Sequence, residues 1–319
     1  MGKRKNMRKV YILFLISLII LPIITSGKSR RWKRTRYELY GGLGVTAFMG
    51  DLGGGNNASH FVSDFDFTSQ RPLISVGMRY KILETLAVKP TISYGMISGS
   101  DDKSKNIYRL DRNLSFRSQI VEFAAQLEYS IIKEPVSHRY SLRRRRRKFS
   151  LKNIKVNTYI FAGLAGFWFN PKGLDDGPNG TGKWVSLQPL GTEGQTLMEG
   201  RKKYSRIQLA VPFGVGFKYG ITRQISVGLE FGARYTFTDY LDDVSTSYID
   251  NKWLAKYDAQ AARMADKSPW SENPLPSKAG INYNPGGQRG ESRYNDFYFF
   301  SLVTVVYKLR TGRNGLPKF

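Results

Sequence analysis

Residues 225–238 alternate without a break. Ile225, Val227, Leu229, Phe231, Ala233, Tyr235 and Phe237 are apolar, whereas Ser226, Gly228, Glu230, Gly232, Arg234, Thr236 and Thr238 are small or polar. A period of two places these sets on opposite faces of a β-strand. Segment 207–220 repeats the pattern, and the turn Gly220–Arg223 joins the two into a long antiparallel hairpin. Segments 37–47, 74–82, 86–96 and 121–131 alternate likewise. Segments 156–169 and 296–309 are apolar on both faces, which leaves their register open. The pattern predicts eight strands.

Each strand exceeds the roughly 9–11 residues that a tilted strand needs to cross a bilayer, and eight is an even number, as in bacterial outer-membrane barrels. With the N-terminus periplasmic, connections 49–69, 99–114, 170–204 and 240–294 lie outside, and the turns at 83–84 and 221–223 lie inside. Long outer loops and short periplasmic turns are the usual asymmetry of these barrels. The rival is a soluble sandwich or lipocalin-like barrel, whose outer face would be rich in charge. Here the polar face is small and Gly-rich, and the apolar face carries Tyr37, Tyr80, Tyr219, Tyr235, Phe237 and Tyr307 near strand ends, where aromatics suit a lipid interface. The expected fold is all-β: an eight-stranded antiparallel outer-membrane β-barrel with long outer loops, in a Gram-negative bacterium.

The N-terminus agrees. Lys3, Arg4, Lys5, Arg8 and Lys9 precede an apolar run from Val10 to Ile24, and Thr25, Ser26 and Gly27 follow. This is the layout of a signal peptide over 1–27; Pro22 and the short run argue against an anchor helix. A basic segment, 28–35, then leads into the barrel, 36–319. The chain has 50 Lys and Arg against 25 Asp and Glu, a net charge of +25, which taken alone suggests nucleic acid. Export beyond the cytoplasmic membrane removes that partner and leaves outer-membrane lipid and periplasmic proteins. The absence of cysteine excludes disulfides, a lipid-anchored N-terminus and thiol chemistry.

An eight-stranded barrel is about as wide as its own side chains, so no aqueous channel is expected. The inferred lumen holds Glu38, Glu122, Glu128 and Glu230 against Arg79, Lys81, Lys89, Lys218, Arg234 and Lys308. Such groups are costly to bury singly and neutralise one another as an ion-pair network. That reading is a salt-bridged plug; a narrow selective pore is its rival.

The motifs that resemble catalytic ones are decoys. Residues 177–183 read GPNGTGK, the start of a phosphate-binding loop, but Trp184 stands where magnesium coordination needs Ser or Thr, so a flexible loop is expected. The glycines of 214–220 lie in a strand. His60 and His138 fall on opposite sides of the membrane, and neither has a serine partner at a strand end. No catalytic residue, cofactor or metal site is expected. Asp239, Asp242 and Asp243 in TDYLDD suit either calcium or, as the blander reading, loop capping. In the last outer loop, Trp253, Leu254, Tyr257, Ala261 and Met264 share one face of a helix expected over 252–266, which would cap the barrel mouth or meet an outside partner. The second inner connection, 132–154, is long and carries Arg143, Arg144, Arg145, Arg146, Arg147 and Lys148, with no acid after Glu134. It is either a solvated loop or a docking face for an acidic periplasmic protein or anionic headgroups.

Four stretches, RYELYGGLGVTAFMGDLGG (36–54), RPLISVGMRYKI (71–82), YIFAGLAGFWFNPK (159–172) and above all GLEFGARYTFTDYLDDVSTSYID (228–250), resemble the PorG-like outer-membrane β-barrels. The resemblance spans nearly all of the mature chain. It implies a non-enzymatic component of the type IX protein secretion and gliding machinery, in contact with a periplasmic ring. The arginine run lies outside the resemblance, and its docking role rests on charge alone. A general structural barrel and a narrow transport pore are the alternatives.

Overall fold

The computed structural model describes residues 30–52, 69–104, 107–133, 156–195, 197–268, 286–312 and 316–318. The signal segment, His60, His138 and the basic run Arg143–Lys148 lie outside these residues.

Eight long strands close on themselves: β1 (Tyr37–Met49), β2 (Arg71–Lys81), β3 (Leu86–Ser100), β4 (Ser115–Ile132), β5 (Val156–Leu174), β7 (Ile207–Gly220), β8 (Ile225–Thr236) and β9 (Phe297–Thr311). Each pairs antiparallel with the next, and β1 pairs with β9 from Tyr37↔Leu309 to Met49↔Phe297, so no barrel edge is left open. Closure satisfies every strand from both sides, which a hydrocarbon surrounding demands. Two short strands extend the ring: β6 (Trp184–Ser186) on β5 and β10 (Pro317–Lys318) on β9.

Two lapses in the ladder fall at prolines, while a third, a bulge at Ser130–Ile132 of β4, does not. The β2–β3 register skips Lys89 and Pro90, and the β5–β7 register skips Val211 and Pro212. Proline has no N–H to donate.

Strand lengths run from 11 residues in β2 to 19 in β5. β4 and β5 outrun the segments expected for them because they continue into the loop end as a raised hairpin wall. At the other end the connections at 82–85 and 221–224 are tight turns, closed by the Leu83 and Thr222 amides donating to Leu86 and Ile225 carbonyls. The 3-10 helix Arg30–Thr35 sits at this turn end, where Thr311 Oγ1 donates to the Lys33 carbonyl at 2.6 Å.

The apolar residues point outward and the charged ones inward. Leu43, Val76, Ile92, Phe123, Leu164, Leu209, Phe231 and Val303 are exposed, Leu164 to 73%, while Glu38, Lys89 and Glu122 are at 0%. A water-soluble barrel has the reverse arrangement. The two ambiguous segments also resolve: Ile160 and Leu164 face outward from β5 and Val303, Val305 and Tyr307 from β9, while Tyr159, Phe161, Phe167, Tyr298 and Phe300 face the lumen.

If this belt meets hydrocarbon, Leu164→Arg at mid-height costs about 2–4 kcal/mol. Urea titration of the barrel refolded in lipid vesicles measures it, and a change near zero would place this face in water.

Candidate functional site

The lumen has two storeys. In the storey nearer the turn end, Arg79 Nη1 meets Glu38 at 2.9 Å, and its Nε and Nη2 clasp Glu128. Glu38 also receives Lys81 at 2.5 Å and Lys218 at 2.9 Å. Lys89 bridges Glu128 at 3.0 Å and Glu230 at 2.6 Å. Since β3 and β8 stand opposite each other on the ring, the Lys89–Glu230 pair spans the full bore. Arg234 pairs with Glu122 at 3.2 Å, and the Tyr298 hydroxyl donates to the same carboxylate at 2.6 Å. Lys308, the register partner of Glu38, is buried at the same level. Aromatic faces complete the cage: Arg79 lies over Tyr159, Lys89 over Tyr40 and Phe161, and Arg234 over Phe300 at 3.9 Å.

The glycines of the lumen face make room for these rings. A methyl group on Gly216 would overlap the Tyr159 ring, and one on Gly214 would crowd Phe161 at 2.7 Å. The Gly-rich polar face of the sequence therefore reads, in three dimensions, as space for aromatics from the neighbouring strand.

The storey nearer the loop end is apolar, which the small, polar character of the inner face did not lead one to expect. Phe48, Leu73, Ile97, Phe116, Ile120, Phe167, Phe169, Tyr298 and Phe300 form one buried cluster that continues into Leu52, Leu241 and Val244 of the loops. Phe48 meets Phe116 edge-on at 4.8 Å, and Phe167 meets Tyr298 at 5.5 Å.

Above it the loops knit into a lid. Arg112 donates to Asp101 at 2.7 Å and to the carbonyls of Asp51 and Arg289, both at 2.7 Å, joining three connections. Glu193 accepts from the amides of Ser245 and Thr246 and pairs with Arg289 at 3.0 Å. Left-handed glycines on either side, Gly191 and Gly194, turn the chain so that the Glu193 carboxylate enters the lid. Tyr204 stacks on Tyr240 at 4.7 Å and donates to Asp243 at 2.6 Å. None of Asp101, Arg112, Glu193 or Arg289 stands out in the sequence, because each is defined by partners in other loops.

Two of the TDYLDD carboxylates, and Asp296 at the foot of the last strand, tie loops together. Asp242 accepts from the Leu52 and Val244 amides, Asp243 from the Thr192 and Tyr204 hydroxyls, and Asp296 from the Leu241 amide. Burial raises the pKa of all of them. Asp239 is pushed up to about 9 by burial and then by the Asp51 carboxylate, and Asp243 to about 6 by burial against the opposing pull of Arg289. Asp242 and Asp296 are also held well above the usual carboxylate range, by burial and by their acidic neighbours.

One expectation is corrected here. The helix expected over 252–266 is two helices, which follow the short α1 (Ile107–Arg112) and α2 (Leu187–Leu190) in the chain: α3 (Asn251–Tyr257) and α4 (Ala259–Ala265). Asp258 is extended between them, and its carboxylate caps α4 through the Gln260 and Ala261 amides. Leu254, Ala261 and Met264 are buried as expected, but Tyr257 is exposed. The GPNGTGK segment is, as expected, a loop: the tip of the β5–β6 hairpin. Asp175 accepts from the Thr181 amide and hydroxyl, and Arg263 of α4 clasps it, holding its carboxyl well below the usual range.

An apolar belt around a closed antiparallel ring of eight strands is the build of bacterial outer-membrane proteins. The chain spans the outer membrane of a Gram-negative bacterium. A family model described as "Domain of unknown function (DUF6089)" matches residues 192–258, a stretch that includes β7, β8, Glu193, Tyr204 and Asp243. No curated protein matches. Among solved structures, Neisserial surface protein A aligns over 85% of this chain and 96% of its own at 7% identity, with a TM-score of 0.35. Ail of Yersinia pestis, in complex with a heparin analogue, aligns over the same shares at 7% identity and a TM-score of 0.34. OprG of Pseudomonas aeruginosa covers 86% of this chain and 96% of its own at 8% identity and 0.34. At such scores nothing of those proteins transfers to this chain, and the barrel rests on its own strand pairing.

Two outcomes test the site. Glu122→Gln leaves Arg234 buried without its counter-charge, and such a loss typically costs about 3–5 kcal/mol in vesicle unfolding. The raised loop carboxyls bind protons in the folded lid that they release once unfolded, so lid stability falls as pH climbs from about 4 through the folded values. Hydrogen exchange at 241–249, corrected for its intrinsic rate, should accelerate between about pH 5 and about pH 9, with Asp239→Asn flattening the upper part.

Proposed function

We propose that the protein is a non-enzymatic anchor: a plugged barrel that holds a cell-envelope assembly to the outer membrane through its periplasmic end. The plugged bore carries this reading. Lys89–Glu230 and Lys218–Glu38 cross the lumen, and an aromatic layer packs the storey above, which favours a plug over a passage for solutes. Function is left to the two rims.

The turn end favours an acidic partner. Among the described residues it presents Lys33, Arg34, Arg36, Arg223 and Arg310, whereas Glu84 is already paired with Lys133 at 3.1 Å. The run Arg143–Arg147 with Lys148 belongs to the connection that leaves from this same end. Clustered positive charge of this kind attracts acidic protein surfaces and steers them in. The stretches resembling PorG-like barrels make the type IX secretion machinery the assembly to test first. A general structural barrel remains the second reading, favoured by the lid, which is built from bonds within the chain.

The experiment replaces Arg143 to Arg147 with Ser in cells and compares periplasmic proteins crosslinked to and recovered with the barrel. Loss of an acidic partner with the barrel itself retained in the outer membrane is the expected result; unchanged recovery sinks the docking role. Purified barrel in planar bilayers should give no conductance steps.

A further inference from the structure

The outward face carries an unneutralised pair of cations at the loop end. Arg117 of β4 and Lys172 of β5 are direct register partners, and both point away from the lumen, in step with Val121 and Trp168 below them. Like charges placed opposite each other across strands repel. Inside the barrel such cations are matched by glutamates, but among the described residues neither Arg117 nor Lys172 meets a carboxylate. The guanidinium is held in place all the same: the Trp184 ring of β6 lies 4.1 Å from it. Ser186, the partner of Lys172 on β6, adds a hydroxyl to the row.

Depth decides what this pair meets. On β4 the outward residues run from Ile131 to Val121 through exposed Leu127 and Phe123. Those ten steps at about 3.3 Å, tilted by about 40°, rise about 25 Å, the height of the apolar belt. Arg117 lies four residues further on, about 10 Å above the belt's upper edge, which is the depth of lipid headgroups. A planar guanidinium beside an ammonium and a hydroxyl suits a phosphate, the guanidinium offering two parallel donors and the lysine a point charge. Trp184, amphipathic and at this depth, fits the interfacial aromatic belt.

We propose that Arg117 and Lys172 bind the phosphate of an anionic lipid headgroup in the leaflet at the loop end. This occupant supplies the missing negative charge, and bulk water is a poor substitute at a site that repels itself. The site is separate from the periplasmic rim and does not depend on any protein partner there.

The test uses the full mature chain in nanodiscs of phosphatidylcholine containing phosphatidic acid, with bound lipids counted by native mass spectrometry. Two basic groups at a charged surface should favour phosphatidic acid over phosphatidylcholine by about 30-fold. R117Q/K172Q should lose that preference and keep the heat-modifiable gel shift of a folded barrel, while R117K/K172R keeps both. Equal retention of phosphatidic acid by R117Q/K172Q, or no preference in the parent chain, overturns the proposal. Inorganic phosphate at the lipid's concentration should leave the lipid in place; displacement by it would assign the pair to a soluble anion and overturn the lipid site.

Discussion

Glu38 sits at the centre of the barrel's electrostatics. Arg79, Lys81 and Lys218 reach it from β2 and β7 while its own strand, β1, closes the ring against β9. A carboxylate at 0% exposure is sustainable only with such company, since the charge of a lone buried carboxylate is too costly to keep. The same requirement propagates around the bore. Arg79 must also satisfy Glu128, Glu128 shares Lys89, and Lys89 reaches Glu230 on the far wall. A change at one member leaves another uncompensated, so the chain of pairs acts as one unit. It also fixes register: sliding β2 by one residue would carry Arg79 to the lipid face.

Much of this was legible in the sequence, for a definite reason. A membrane barrel inverts the usual rule, so one face of each strand must be apolar, and alternation survives in the sequence even when neither face is charged. The inward charges then announce themselves as ionisable residues in phase with Gly and Ser, as Glu230 and Arg234 are in 225–238. The strands β5 and β9 resisted because their inner faces are aromatic. Tyr159 and Phe161 pack over glycines of β7, and Tyr298 and Phe300 line the apolar storey, so both faces read as hydrophobic. Register there is set by the neighbouring strand rather than by the segment itself.

The lid was less legible because its determinants are pairwise and distant. Arg112 acts through Asp101 and through two carbonyls of other loops, and Glu193 through amides some fifty residues on. Nothing local marks such residues. The helix over 252–266 failed for a smaller cause: its apolar stripe is continuous, but Asp258 prefers to cap α4 rather than to sit in a helix interior. Periodicity reports which residues are buried; it does not report where the backbone breaks.

A plugged bore moves the question of function to the rims, and the rims differ in how their charge is used. At the loop end several charges are consumed inside the lid: Arg112 by Asp101, Arg289 by Glu193, Arg263 by Asp175. Charge spent in this way stiffens the loops that it joins. At the turn end Arg34, Arg223 and Arg310 are exposed near the tight turns at 82–85 and 221–224. Most of the net charge of +25 lies outside the lumen, five of its units in the expected signal segment. Under the proposed anchor role, the turn end serves recognition by long-range attraction and the bonded lid supplies mechanical stiffness at the other end.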